Sequence, residues 1–233
     1  MERCVEPEIL DELPVNDPRA AGSRRDLEKV NASMGNADIV ARELQRSFGG
    51  RPAKALAEIG AGDGRFALRV AQRLPPAWNG TAITLVDRLD AIEERTISEF
   101  QQSGWRADFK TAEVFEWLRS ESFARADAIF ANLFLHHFPD AALRELLREV
   151  SGRTNVFIAV EPRRSAWCWW MSRTLWFIGC NAVTRHDAPV SVRAGFAGRD
   201  LSRLWPDPGG WELQERSAGM FGHLFVARRT PRP

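Results

Sequence analysis

Short apolar segments of strand length alternate with amphipathic segments through most of the chain. The apolar runs lie at residues 54–60, 82–87, 126–133 and 155–162, and a polar–apolar alternation lies at 106–114. Segments whose apolar residues recur three and four positions apart lie at residues 65–74, 90–104 and 140–152. Strands that alternate with helices of this length predict a doubly wound α/β fold, in which helices cover both faces of a mostly parallel sheet.

The N-terminal part of the chain departs from this alternation. Residues 1–22 combine acidic residues with three prolines, which predicts an irregular leader. Residues 23–48 carry one apolar helical face, and Gly35 could break that helix in two. Because this helix has no place in the alternation, we expect residues 1–48 to form a leader and a helical lid ahead of a main domain at 49–233.

The C-terminal part departs from it as well. An insertion at residues 163–210 begins with a Trp-rich helix and continues as a predicted loop at 184–196. Its longest apolar stretch, 166–180, is too short to span a bilayer and contains an arginine, so we expect no transmembrane segment. The strand patterns at 211–217 and 221–229 have a short connection, which predicts an antiparallel hairpin at the sheet edge.

The composition argues against several kinds of chemistry and several classes of partner. The 32 basic residues nearly balance the 31 acidic ones, so a net charge of +1 gives no reason to expect nucleic acid. The chain has no tyrosine, so no phenol can serve as acid, base or nucleophile. Its three cysteines form no CxxC pair, and we expect neither a metal site nor a disulfide framework. The acidic N-terminal sequence is unlike a signal peptide, which predicts a cytoplasmic location.

The sequence AEIGAGDGRF, at residues 57–66, places three glycines behind an apolar run and an acid. Each glycine in a structured element costs roughly 0.5–1 kcal/mol relative to alanine, so three together indicate a sharp turn or a closely approaching ligand. Doubly wound sheets bind ligands at the carboxyl ends of their strands. The dinucleotide fingerprint G-x-G-x-x-G needs a third glycine where Arg65 stands, which disfavours a nicotinamide-dependent oxidoreductase.

The pattern Glu58-x-Gly60-x-Gly62-x-Gly64 resembles the first motif of class I S-adenosylmethionine-dependent methyltransferases. The resemblance covers residues 50–162. Asp87 ends the second predicted strand, TAEVFEWL resembles the segment after strand three, and ADAIFANLFLHHFPDAALRELLREV resembles the fourth strand and its helix. The sequence is most similar to the small-molecule group, which includes quinone and phenol methyltransferases. This implies a Rossmann-like, seven-stranded sheet, S-adenosylmethionine as cofactor and a small-molecule acceptor.

The resemblance also implies a role for individual residues near the ends of the first four strands. Glu58 anchors the amino-acid end of the cofactor, Asp87 accepts both ribose hydroxyls, and Glu113 replaces the usual Asp on the adenine amino group. Val114 and Phe115 enclose the ring, unless they are core residues and Glu113 is a solvated loop acid. The predicted cofactor-binding residues are Glu58, Gly60, Ala61, Gly62, Gly64, Asp87, Arg88, Glu113, Val114, Phe115 and Asn132.

Histidines are the candidate general bases, because an unperturbed imidazole titrates near pH 6.5. His136 and His137 leave the fourth strand at the mouth of the site, where successive residues point opposite ways. In related enzymes the position of His136 often lies beside the substrate, so we favour His136 over His137. His186, beside Asp187 in the predicted loop, is the third candidate. Alternatively, all of these histidines are structural or lie on the surface.

The Trp-rich segment at 165–180 provides the candidate acceptor site. On a helical wheel, Trp167 and Trp170 share one face, which we expect to pack on the domain. The other face then walls a pocket for a hydrophobic, aromatic or lipid-like acceptor. The predicted acceptor-binding residues are Trp169, Arg173, Trp176 and Arg185. A buried core helix, a partner subunit and a membrane surface remain alternative explanations of this face.

The sequence therefore leaves two functions open. The first is methyl transfer from S-adenosylmethionine to a small hydrophobic acceptor, with oxygen as the favoured target. The second is a regulatory protein that keeps the cofactor-binding fold without catalysis. Detection of a methylated product separates the two.

Overall fold

A seven-stranded mixed sheet organises the chain. The structure is a computed structural model that describes residues 1–14, 17–121, 123, 125–174 and 179–230, with the backbone alone at residues 28 and 31–33. Its strands are β1 (Ala55–Ile59), β2 (Ala82–Asp87), β3 (Arg106–Thr111), β4 (Ala126–Asn132), β5 (Thr154–Pro162), β6 (Trp211–Ala218) and β7 (Gly222–Arg229).

The strand order is β3-β2-β1-β4-β5-β7-β6. The strands β1 to β5 pair in parallel, whereas β7 pairs antiparallel with both β5 and β6. This confirms the predicted doubly wound sheet and its antiparallel edge hairpin. The order reverses between β1 and β4, and the carboxyl ends of these strands form the crevice in which such folds bind ligands.

Helices cover both faces of the sheet. In the described part of the chain they are α1 (Ile9–Glu12), α2 (Pro18–Met34), α3 (Asn36–Ser47), α4 (Arg65–Arg73), α5 (Glu94–Gln102), α6 (Val114–Arg119), α7 (Asp140–Arg153), α8 (Ala166–Ser172), α9 (Ala182–Ala194) and α10 (Asp200–Leu204). Short 3-10 helices occupy Pro76–Trp78, Leu135–His137 and Pro208–Gly210. None of the helices described is both long enough and apolar enough to cross a membrane.

Two element boundaries differ from the predicted ones for local reasons. The helix predicted over 90–104 begins at Glu94 and ends at Gln102. The strand predicted over 106–114 ends at Thr111, because Glu113 starts a helix there. The Glu113 carboxylate accepts hydrogen bonds from the backbone N–H groups of Phe115 and Glu116, which is the usual contact of an N-cap.

The predicted lid at 23–48 is wrong for its second half. Gly35 does divide the helix, with a φ of 66°. Beyond it, Val40, Ala41 and Leu44 of α3 are buried in the same apolar cluster as Leu56 of β1. The apolar face of α3 is therefore part of the main core, and α3 cannot open as a lid without exposing that core.

The predicted loop at 184–196 is also wrong, because residues 182–194 form α9. Asn181 caps this helix by accepting a hydrogen bond from the Thr184 backbone N–H at 2.8 Å. Buried residues then fix it, including Thr184, whose hydroxyl lies 2.9 Å from the Ser23 hydroxyl of α2. A capping asparagine three residues before Thr184 was the sequence signal for this helix.

Candidate functional site

The turn between β1 and α4 is built on glycines with left-handed backbone conformations. Gly60, Gly62 and Gly64 have φ values of 69°, 54° and 74°. A Cβ on Gly60 would lie 2.2 Å from the ring of Phe134, whereas a Cβ on Gly62 would meet nothing within 4 Å. Gly60 therefore admits the Phe134 ring, and the open space beside Gly62 is where a ligand can approach the backbone.

Glu58 lies beneath this turn with an unsatisfied carboxylate. Its side chain is buried, and Oε2 has no hydrogen-bond partner. Burial raises the pKa of this carboxyl well above its usual range, and the nearby Asp63 and Asp87 raise it further. A buried acid with a free oxygen favours a cationic hydrogen-bond donor, and an ammonium group fits that requirement.

Asp87 closes the other side of the turn. Its carboxylate accepts hydrogen bonds from the Gly62 backbone N–H at 2.8 Å and from the Leu89 N–H at 2.9 Å. The side chain remains half-exposed at the carboxyl end of β2. Asp87 thus joins β2 to the glycine turn and still has lone pairs for ribose hydroxyls, the role predicted for it.

The other predicted cofactor residues take varied positions. Ala61 is buried and donates its N–H to Val86, and Arg88 is exposed and pairs with Asp11. Val114 is buried in the core, whereas Phe115 is half-buried, with its ring 6.1 Å from that of Phe138. Because Glu113 caps α6 with one oxygen, its predicted contact with adenine would use the other oxygen.

Asn132 has a partner that sequence reasoning missed. It ends β4 and accepts a hydrogen bond from Asn36 Nδ2 at 2.8 Å. Asn36 is fully buried at the start of α3, and its Oδ1 has no partner. The contact spans 96 residues, so no local pattern reveals it. Asn36 adds a second unsatisfied oxygen beside the ends of β1 and β4.

His136 is held between two carboxylates. Its Nδ1 lies 2.8 Å from Glu161 and its Nε2 lies 3.4 Å from Glu8. Burial alone would lower the pKa of His136, but these hydrogen bonds outweigh it and raise the pKa to about 9. An imidazolium at neutral pH has no free lone pair, so this environment argues against the predicted role of His136 as general base.

Glu161 also fixes the segment that follows β4. It is fully buried, and its carboxylate accepts the backbone N–H groups of Phe134 and Leu135 at 3.0 and 2.9 Å. Leu133, just before them, has a φ of 52°, a conformation that non-glycine residues rarely adopt. Glu161 thereby stabilises a strained turn next to Gly60.

His137 occupies a more open position. Its Nδ1 lies 3.1 Å from Asp11, and its side chain is 28% exposed. Asp11 also pairs with Arg88 at 3.5 Å. A histidine oriented by one carboxylate, with its other nitrogen available, is the arrangement that suits a general base.

Residues 3–12, which we call the N-terminal strap, cross the mouth of the site. The strap is fixed near the end of β4 by Arg3, which pairs with Asp140 at 2.5 Å. It reaches the end of β2 through the pair of Asp11 and Arg88. Since β1 lies between these two strands, the strap spans the glycine turn. It covers the position for which a lid at 23–48 was predicted.

Asp187 of α9 anchors the strap. Its carboxylate accepts the backbone N–H groups of Ile9 and Leu10 at 2.9 and 3.0 Å. His186 Nδ1 lies 2.9 Å from the same carboxylate, but the His186 side chain is 54% exposed on the helix surface. Arg185 is exposed as well. Asp187 therefore positions the strap, whereas the neighbouring His186 side chain lies exposed on the helix surface.

Three side chains near the strap have the chemistry and spacing of metal ligands. Glu8, His136 and His137 offer ligand atoms within 4.8 Å of one another. In the structure these side chains bond to carboxylates or to each other, and Glu8 also accepts from the Ser191 hydroxyl. These ion pairs between protein side chains are enough to explain why Glu8, His136 and His137 lie close together.

The Trp-rich helix α8 has the opposite orientation to the predicted one. Trp167 and Trp170, expected to pack on the domain, are exposed, and Cys168 is the buried residue. Trp169 is half-buried, and the Arg173 guanidinium lies 4.8 Å from its ring centre. Trp176 lies outside the described residues. The predicted faces come from a helical wheel over sixteen residues, but α8 is only two turns long. Burial of Cys168 therefore sets the orientation of this short helix.

The sequence matches a known family over its central part. Residues 56–155 match the family described as a methyltransferase domain. No curated protein matches the chain.

Solved structures of methyltransferases share the fold. The 1,6-didemethyltoxoflavin-N1-methyltransferase of Burkholderia thailandensis, solved with its substrate and S-adenosylhomocysteine, is 20% identical with a TM-score of 0.57, covering 98% of this chain and 94% of its own. An O-methyltransferase family protein from the same organism is 18% identical (TM-score 0.62), covering 94% and 62%. Mitomycin 7-O-methyltransferase is 18% identical (TM-score 0.61), covering 95% and 60%. The chain thus spans about three fifths of the length of the last two proteins.

The family match makes residues 56–155 a methyltransferase domain, and the chain has the fold of class I S-adenosylmethionine-dependent methyltransferases. S-adenosylmethionine is its cofactor. The residues present fit that molecule, since the buried Glu58 has a free oxygen for a cation and the turn beside Gly62 is open.

The charge state of Glu58 leads to a testable expectation for cofactor binding. The raised pKa favours the protonated acid in the free protein, whereas the cofactor's ammonium group favours the carboxylate. We therefore expect binding to release a proton and to strengthen as pH rises through the raised pKa. Glu58→Gln should abolish the proton release and weaken binding about ten- to a hundred-fold.

Titration calorimetry in buffers of different ionisation enthalpy measures this proton release. Because glutamine resembles the protonated acid, Glu58→Gln should not lower the free energy of unfolding, which separates a binding role from a structural one. Equal proton release by the variant and the wild type would contradict the assignment.

Proposed function

We propose that this enzyme transfers a methyl group from S-adenosylmethionine to an oxygen of a small hydrophobic acceptor, with His137 as general base. The observation that carries the proposal is the half-exposed His137 paired with Asp11, beside a strap that covers the glycine turn. An oxygen nucleophile needs such a base to remove its proton, whereas an ionised or carbon nucleophile needs alignment alone.

Each element of the site has a task in this proposal. Glu58 and Asp87 hold the cofactor, which supplies the methyl group on a sulfonium that activates it for displacement. Asp11 orients His137 so that a ring nitrogen can accept the acceptor's proton. The N-terminal strap excludes water and is fixed by Asp187 of α9. Glu161 and His136 hold the turn after β4 in place.

The hydrophobic character of the acceptor is supported by aromatic residues around the mouth. The rings of Phe134 and Phe138 pack edge to face with their centres 5.1 Å apart, and the Phe115 ring packs against Phe138 in the same way. Trp169, Arg173, Arg185 and Trp176 remain proposed contacts from the insertion. We likewise propose that the enzyme is cytoplasmic.

Transfer of an isotopically labelled methyl group tests the function. The enzyme is incubated with labelled S-adenosylmethionine and a panel of hydrophobic phenols, hydroxyquinones and matched amines. We expect label in an organic-extractable methyl ether. Label in amine products alone would overturn the oxygen assignment. Binding of S-adenosylhomocysteine without methylation of any acceptor would favour the regulatory alternative.

A further inference from the structure

Exposed apolar side chains gather on one surface, which we call the α8 patch and define as Trp167, Trp170, Arg173 and Met220. The three apolar members are 60%, 61% and 64% exposed. Among the described residues, they are three of the four large apolar side chains that are exposed. Cys168 Sγ donates to the Met220 carbonyl oxygen at 3.4 Å, which holds α8 against the β6–β7 turn. Such a cluster marks an interaction surface.

The two chain segments that carry the α8 patch contain arginines and no acidic residue. Between Glu161 and Asp187 the sequence has four arginines and neither aspartate nor glutamate, and residues 218–222 are uncharged. Arg164 is neutralised by Asp200 at 2.6 Å. Arg173 instead is exposed, with its guanidinium 4.8 and 5.6 Å from the ring centres of Trp169 and Trp170. The α8 patch therefore offers indole rings and a cation together.

We propose that the α8 patch docks the enzyme onto an anionic lipid surface. Indole rings favour the boundary between acyl chains and headgroups, and arginine is attracted to anionic headgroups. A second copy of the patch is a poorer partner, because two arginine-bearing faces would repel each other. The inference goes beyond methyl transfer, since it concerns where the enzyme sits, and it needs no acceptor to be tested.

Co-sedimentation with vesicles tests the docking. We expect the full-length protein to bind vesicles of phosphatidylcholine mixed with phosphatidylglycerol and to bind pure phosphatidylcholine more weakly. The Trp167→Ala/Trp170→Ala variant should bind about ten-fold more weakly. Arg173→Ala should lose about five-fold in binding to the anionic vesicles, and Arg173→Lys should retain that binding.

A matched control separates the patch from general charge. Arg203 of α10 is also an exposed arginine, and Arg203→Ala should bind as the wild type does. The proposal is overturned if the wild type ignores anionic vesicles or if the double tryptophan variant binds them equally well. A double variant that instead changes the sedimentation mass of a dimer would identify a second copy as the partner and would also overturn it.

Discussion

Replacing His137 with alanine is expected to lower kcat for methyl transfer by about 10²–10⁴-fold, the usual contribution of a positioned general base. The affinity for S-adenosylhomocysteine should stay unchanged, because His137 follows β4 and acts on the acceptor. Single-turnover rates and calorimetry on the same preparation measure the two quantities separately.

Two further variants check the assignment of His137. Asp11→Asn should lower kcat by a smaller factor, since it removes only the carboxylate that orients the ring at 3.1 Å. His186→Ala is the matched control, because His186 also pairs with an aspartate but lies exposed on α9. A large loss of rate in His186→Ala, with His137→Ala nearly unaffected, would move the base to α9.

Replacing His136 is expected to destabilise the fold. His136→Ala leaves Glu8 and Glu161 facing each other without the cation between them, and breaking such a buried pair costs about 3–5 kcal/mol. Urea unfolding measures this difference. A loss below 1 kcal/mol would contradict the ion pair.

The pH dependence of that stability has a definite sign. The pKa of His136 is raised from 6.5 to about 9 in the folded protein. Its stabilisation is therefore fully present below about pH 6.5 and is lost as pH rises through about 9, in total about 3 kcal/mol. His136→Gln cannot be protonated and should lack this component. Unfolding curves of both proteins between pH 6 and 10, at fixed ionic strength, separate it from other titrations.

The parts of the site that the sequence predicts are those defined by short-range patterns. The glycine turn, Glu58 and Asp87 sit at the ends of strands whose apolar runs are visible in the chain, and the sheet then brings them together. Asp87 reaches the Gly62 N–H across 25 residues because β1 and β2 are neighbours in a parallel sheet. The hydrophobic periodicity of the strands and the right-handed crossover rule are enough to predict that Asp87 lies near the glycine turn.

The parts that escaped prediction depend on long-range contacts. Asp187 binds Ile9 and Leu10 across 178 and 177 residues, and Glu8 approaches His136 across the body of the protein. Nothing local to residues 1–14 indicates that they cover a site, since their irregular pattern is that of a free leader. The sequence favours His136 as base because it shows where His136 leaves β4 but not that Glu8 and Glu161 enclose its ring.

The central claim is that the turn at Gly60–Gly64, between Glu58 and Asp87, binds the cofactor. Calorimetric titration of S-adenosylhomocysteine into the wild type, Asp87→Asn and Asp90→Asn tests it most directly. Asp90 is an exposed acid three residues away and controls for net charge. The predicted result is a loss of about ten- to a hundred-fold in affinity for Asp87→Asn alone. Equal affinity in all three folded proteins would contradict the claim.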